Sequence, residues 1–362
     1  MPDRTASKPA PQIALLLPLS GRLADAGQAI RDGFLAAYFD IPVAMRPAVR
    51  VYDAAGDAAP VLHKALEEGA TFVVGPLSKE NVAALRALAD GKVPILALNH
   101  LPDADPAPQH FYQFTLAPED EARQIAAHAL SEGQKIAAVL VPSGDWGQRV
   151  RQAFAVAFTA GGGQLATTET YATDTTDFSD ILVPLLGFEA SQKRYQSVNA
   201  LVGGGLVFTP RRRDDIDFVF FAGQPVHARL IRPQLKFHYA GDLPVYATSD
   251  IHDPQASSNQ DLEGIVFLDI PWLVSDDEAI RKLRETVTQL WPGDARHVGR
   301  LFALGYDAAM LVSPLKAGEG IDSLSGLTGR LTLGTNGRIR RSLTWATFGA
   351  DGSVYPSPTQ AP

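Results

Sequence analysis

Short apolar runs of strand length alternate with amphipathic stretches of helical period along most of this chain, and that alternation restricts the fold more than any other feature. Ile13-Ala-Leu-Leu-Leu17 ends at Pro18-Leu-Ser-Gly21, after which Leu23, Ala26, Ile30, Phe34 and Ala37 recur at helical spacing. The same strand-then-helix unit repeats from Val49, from Thr71 and from Val93, with Ser78 placed to cap a helix through Val82, Leu85 and Leu88. Pro118-Glu-Asp-Glu121 is a strong helix start, because Pro gives up an N–H that would be orphaned anyway and the acids face the helix dipole. A second series begins there, with strands at Ile136–Val141, Leu165–Tyr171, Phe218–Phe221 and Val245–Thr248, and a longer insert around Ser191–Arg213. Strands alternating with helices at this spacing predict an α/β fold of mostly parallel sheets wound by right-handed crossovers and flanked by helices.

The rhythm changes near the end. Ser275-Asp-Asp-Glu278 reads as a capping box opening a helix through Ile280, Leu283, Val287 and Leu290, and a second helix runs through Leu301, Leu304, Ala308 and Leu311. Leu331-Thr-Leu333 and Arg338–Phe348 read as strands joined by a turn at Thr335-Asn-Gly337. At 362 residues the chain exceeds the roughly 100–200 of a single domain, so two lobes are expected. The breaks at Pro118 and after Gly264 predict an N-lobe of residues 12–117 plus 267–336 and a C-lobe of residues 118–266 plus 337–358. Residues 1–11 read as a linker or leader and residues 359–362 as a tail.

Several function classes are disfavoured. Forty acids against 32 Lys and Arg make a net charge of −8, which repels a phosphate backbone, so no nucleic-acid partner is expected. The chain has no cysteine, which removes thiolate ligands, catalytic thiols and lipid attachment through Cys within these residues. Gly161-Gly-Gly163 superficially resembles a dinucleotide loop, but it closes a helix and precedes a strand, the reverse of what phosphate binding requires. Asp250, His252 and Asp253 have metal-ligating side chains, yet beside Pro254 they read as a solvated surface turn. Arg211-Arg-Arg213 abuts Asp214-Asp215, so its charge is largely offset locally and a solvated loop is expected, with a structural and a binding role both open, while His63, His128, His227 and His238 read as scaffold or surface. No catalytic residue, cofactor or metal site is predicted.

Two α/β lobes with loops at the carboxyl ends of parallel strands resemble the type I periplasmic binding proteins. Closer blocks are Ile13–Gly21, Gln28-Ala-Ile-Arg-Asp-Gly-Phe34, Val74-Gly-Pro-Leu-Ser-Lys-Glu-Asn-Val82 and Phe114 through Pro118-Glu-Asp-Glu-Ala-Arg123. With Pro210–Asp217 and Ala228-Arg-Leu-Ile-Arg-Pro-Gln-Leu235, these resemble the penicillin-binding-protein activator lipoproteins, the LppC or LpoA family, over roughly Gln12 to Tyr355. The resemblance implies a non-catalytic periplasmic protein, the soluble part of an outer-membrane lipoprotein, that activates a bifunctional class A penicillin-binding protein by direct contact. Members of that family carry a lipidated N-terminal Cys and a helical tetratricopeptide-like domain. Neither is in this sequence, so the chain is expected to correspond to the family's C-terminal domain, with membrane attachment only through that absent N-terminus.

The receptor resemblance also predicts a lining for an interlobe cleft: Ser20, Ser78, Lys79, Asn99, Gln224, Ser249 and Asp250, each just after a strand. Amino-acid receptors of this superfamily hold their ligand with small hydroxyl residues in the corresponding N-lobe loops. Lys79 and Asn99 stand where those hydroxyls are expected, which argues against an amino-acid site while leaving room for an unknown small ligand. The alternative function is a periplasmic solute receptor for an amino acid or small polar ligand.

Overall fold

The structure, a computed structural model, describes residues 12–102, 104–203, 207, 211–254, 259–292 and 299–357. The segments predicted to be a linker and a tail, 1–11 and 359–362, lie outside the described residues. The chain divides into two compact units: residues up to Leu116 with Ile270–Ser342, and Ala117–Asp269 with the residues from Leu343 onward.

The first unit opens with β1 (Gln12–Leu17), α1 (Ala24–Asp40), β2 (Ala48–Asp53), α2 (Ala58–Glu67), β3 (Ala70–Val74), α3 (Lys79–Leu88), β4 (Ile95–Ala97) and β5 (Phe111–Gln113). These strands form an all-parallel sheet in the order β2-β1-β3-β4-β5. Every residue of β1 is buried, with Ile13, Leu15 and Leu17 in one core and Ala14 and Leu16 in another. Burial on both faces is why the strand reads as an unbroken apolar run rather than an alternation.

The second unit continues with α4 (Pro118–Ser131), β6 (Ile136–Pro142), α5 (Asp145–Ala160), β7 (Gln164–Tyr171), α6 (Ser179–Leu185), α7 (Phe188–Leu201), β8 (Phe218–Phe221), α8 (Pro225–Phe237), β9 (Val245–Ala247) and β10 (Ile265–Asp269). The chain then returns to the first unit through α9 (Pro271–Val274), α10 (Glu278–Leu290), α11 (Arg300–Ala317), β11 (Leu324–Gly326), β12 (Gly329–Leu333) and β13 (Ile339–Ser342). It ends in the second with β14 (Thr344–Phe348) and β15 (Val354–Pro356). The second sheet runs β15-β14-β10-β9-β8-β6-β7, parallel from β10 to β7, with β14 and β15 antiparallel. Its parallel part repeats the order of the first sheet.

Three predicted boundaries need correction, the first by one residue, since Ala117 opens the second unit. Phe267–Asp269 belongs to the second unit, because β10 pairs in parallel with β9 and antiparallel with β14. Residues 337–342 belong to the first unit, because the turn at Thr335–Gly337 returns β13 antiparallel onto β12. Arg338–Phe348 is thus two strands in two sheets, and the chain changes unit only at Leu343. At α10 the cap is Asp277, whose carboxylate accepts from the N–H groups of Ala279 and Ile280, rather than Ser275. The insert around Ser191–Arg213 contains a helix, α7, that polar composition concealed.

Helices α1 and α11 pack at backbone contact. A Cβ built on Gly33 would lie 1.9 Å from the carbonyl oxygen of Phe302, and one on Gly305 would lie 2.0 Å from that of Ile30. Glycine at both positions permits this approach. Asp307, fully buried on α11, fastens the antiparallel sheet to the helix by accepting from the N–H groups of Leu327 and Thr328, each at 2.7 Å, and from the Thr328 hydroxyl.

Candidate functional site

In open parallel sheets, loops at the carboxyl ends of strands flanking the reversal of strand order make the natural ligand position. In the first unit the reversal lies between β1 and β3, so Ser20 and Ser78 follow the two flanking strands. In the second it lies between β6 and β8, so Gln224 follows one flanking strand and Ser143-Gly-Asp145 the other. Ser249 and Asp250 follow the next strand, β9. Within each unit the predicted residues do share the carboxyl end of the sheet. Ser143–Asp145, which leads from β6 into α5, was not among the predicted lining residues.

Most of these polar groups are used by the fold. Ser20 hydrogen-bonds Asp53, whose carboxylate also accepts from Leu19 N–H at 2.9 Å and Ala55 N–H at 3.0 Å, and these bonds hold its pKa below the ordinary value. Ser78 caps α3 by accepting from Asn81 N–H at 3.3 Å, and Lys79 beside it is exposed. Asn99 donates from Nδ2 to the Leu77 carbonyl at 2.9 Å and accepts from His100 N–H at 3.0 Å, tying together the loops after β3 and β4.

In the second unit the buried Ser249 donates its N–H and hydroxyl to the two carboxylate oxygens of Glu121, at 2.8 and 2.9 Å. Glu121 is one of three acids at the start of α4. It is the one that turns inward and fixes the loop after β9. Gln224 is exposed and caps α8 through its carbonyl, which accepts from the N–H groups of His227 and Ala228. Asp250 is exposed and accepts from Thr248 Oγ1 at 3.5 Å. The buried Tyr171 hydroxyl donates to the Ala222 carbonyl at 3.2 Å, and burial together with the nearby Asp250 charge raises its pKa.

The turn after β9 is not wholly solvated, which corrects the reading of His252. Its ring is buried, and Nδ1 lies 2.8 Å from Asp269 at the end of β10. The pair joins the turn after β9 to the end of β10, and among the described residues no group of three or more His, Cys, Asp or Glu could hold a metal ion. Gly161–Gly163 does close a helix, with Gly161 capping α5 and β7 starting at Gln164. Trp146, in the first turn of α5, is half-buried.

Comparison with known proteins agrees with this architecture. The protein named penicillin-binding protein activator LpoA from Photobacterium profundum is 30% identical over 347 residues, 94% of this chain and 56% of that protein. Its namesake from Vibrio antiquarius is 32% identical over 93% of this chain and 57% of that protein. The chain thus spans little more than half the length of these relatives. Among solved structures, the LpoA C-domain from Haemophilus influenzae, described as a regulator of PBP1A, superposes with a TM-score of 0.72 at 25% identity, covering 96% of this chain and 99% of that one. An ABC transporter substrate-binding protein from Sphaerobacter thermophilus shares the fold, with a TM-score of 0.65 at 17% identity over 96% of both chains. The family model described as "LppC putative lipoprotein" matches residues 5–351, and the chain belongs to that family.

Proposed function

We infer that this chain is the regulatory domain of a penicillin-binding-protein activator, binding a bifunctional class A peptidoglycan synthase and raising its activity without catalysis of its own. The observation that carries the reading is the near-complete overlap with the H. influenzae LpoA C-domain, a relative described as a regulator of PBP1A. The polar inventory at the strand ends supports it. Asn99 and Ser249 are held by internal hydrogen bonds and Ser78 caps a helix, an arrangement suited to rigid loops more than to a ligand's carboxylate and ammonium. Family membership supports a periplasmic position as the soluble part of an outer-membrane lipoprotein. Among the described residues no helix is long and apolar enough to cross a membrane.

The test is to titrate the purified chain into a class A penicillin-binding protein from the same organism and measure cross-linked peptide product. Binding with increased cross-linking, and no turnover of peptidoglycan by the chain alone, is expected. No binding and no stimulation at any ratio would overturn the reading. Asp250→Asn should leave stimulation intact, and calorimetric micromolar affinity for a standard amino acid would instead revive a receptor role.

A further inference from the structure

The end of α8 carries an aromatic residue where the backbone favours glycine. Ala240 N–H returns to the Leu235 carbonyl and Tyr239 N–H to the Lys236 carbonyl, closing the helix in a Schellman-like turn. Tyr239 occupies the left-handed position of that turn, with φ at 54°, a conformation that is costly for any side chain with a Cβ. Packing does not offset the cost, since Tyr239 is 74% exposed and Phe237 beside it 78% exposed. The two aromatics nevertheless stand on a fixed base. Arg212 donates from Nε to the Tyr239 carbonyl at 3.3 Å and pairs with Asp242 at 2.7 Å, and the His238 ring packs between Phe237 and Phe188.

This aromatic pair lies in a cationic stretch of sequence within an acidic chain, with Asp242 just beyond it. Residues 188–241 contain eight Lys and Arg against four Asp and Glu, net +4, so the rest of the −8 chain carries −12. Arg211 N–H donates to Ser191 Oγ at 3.3 Å, which brings Arg211 to the start of α7, where Lys193 and Arg194 follow. All three cations are exposed, and none forms an ion pair among the described residues. Exposed aromatics beside Arg have the composition of a binding hot spot, and a strained exposed residue is where function is to be sought.

We propose that Phe237 and Tyr239, flanked by Arg211 and Lys193, dock onto an acidic surface of the penicillin-binding protein that receives the two rings. The assignment rests on the function inferred above. Its test compares binding of the purified synthase to the wild-type chain and to Tyr239→Gly, Phe237→Ser and Arg211→Glu. Tyr239→Gly is expected to keep or raise Tm, because glycine relieves the left-handed strain, while weakening binding by about tenfold or more, as loss of a hot-spot residue does. Phe237→Ser should weaken binding similarly without altering Tm, and Arg211→Glu should weaken it most at low salt.

If the wild-type chain does not bind the synthase, the functional reading itself falls and the docking site with it. If the wild type binds and all three variants bind equally well, only the docking site is overturned. It is also overturned if Tyr239→Gly lowers Tm, or if the substitutions abolish self-association or retention on anionic phospholipid vesicles while synthase binding is unchanged.

Discussion

The two units thread the same parallel strand order and fill it with different chemistry. In the first, Phe34, Phe72 and Phe114 sit in a largely aliphatic core, and close helix contact at Gly33 and Gly305 seals one side. In the second, rings pack on rings: Phe154 stacks on Phe220 at 4.1 Å and on Phe158 at 5.2 Å, while Phe158 meets Phe218 edge-on at 5.5 Å. The first unit carries a separate antiparallel sheet pinned to α11 by Asp307, whereas the second extends its own sheet with β14 and β15. Topology therefore leaves the packing solution open, and each unit should fail in its own way.

The largest expected effect is in the second core. Phe220→Ala should cost about 3–5 kcal/mol, because the cavity removes the stacking partner of Phe154. Hydrogen exchange should place the loss in the second unit. Equal loss of protection in both units would mean that they do not fail separately.

In the first unit, Asp307→Ala should cost about 3 kcal/mol by leaving the Leu327 and Thr328 N–H groups buried without their acceptor. Protection should fall first in β11–β13, and a uniform change would contradict its anchoring role. A smaller effect, about 2 kcal/mol, is expected for Gly33→Ala, because the new methyl meets the backbone carbonyl of Phe302 rather than a side chain that could turn away. Denaturant unfolding within a few tenths of a kcal/mol of wild type would show that α1 can shift instead.

The smallest effect is in the response to acid, where the units should differ in sign. Burial raises the Asp307 carboxyl from 3.8 to about 6, against the opposing pull of Thr328, Leu327 and Arg341. Between those values it is protonated in the fold and ionised in the unfolded chain, so the first unit gains stability as pH falls through about 6 toward 4. His128 lies buried against Trp345, at 4.3 Å between ring centres, and beside Tyr246, and burial lowers its pKa below 6.5. The unfolded chain takes up that proton first, so the second unit loses stability as pH falls through 6.5. Asp307→Asn should flatten the first response and His128→Leu the second, read as protection in each unit at pH 7 and pH 5. Unchanged responses in both variants would assign the pH dependence to other groups.

How much was legible follows the range of the signal. β1, α1, α3, β6 and β8 could be read because an apolar run or a 3.6-residue stripe is written in consecutive residues, and Ser78 capped the helix it was expected to cap. α7 was missed because its polar, exposed surface carries no stripe. The residues proposed for the strand ends were found at those ends, yet their bonding was not foreseeable: the carboxylate that fixes Ser249 is 128 residues away in sequence.

That this is an α/β chain of two parallel-sheet units is written in its local periods, because strand and helix repeats are properties of consecutive residues seeking to bury one face or two. Where the units divide is set by long-range strand pairing instead. Arg338–Phe348 has the same strand character throughout, and what splits it is which neighbour each half meets: β12 for β13, β10 for β14. The same holds for Asp307, Glu121 and His252, polar residues that look like surface in a sequence and are buried because partners far along the chain satisfy their hydrogen bonds. Pairing across long sequence separation depends on register and crossover, which no local period encodes.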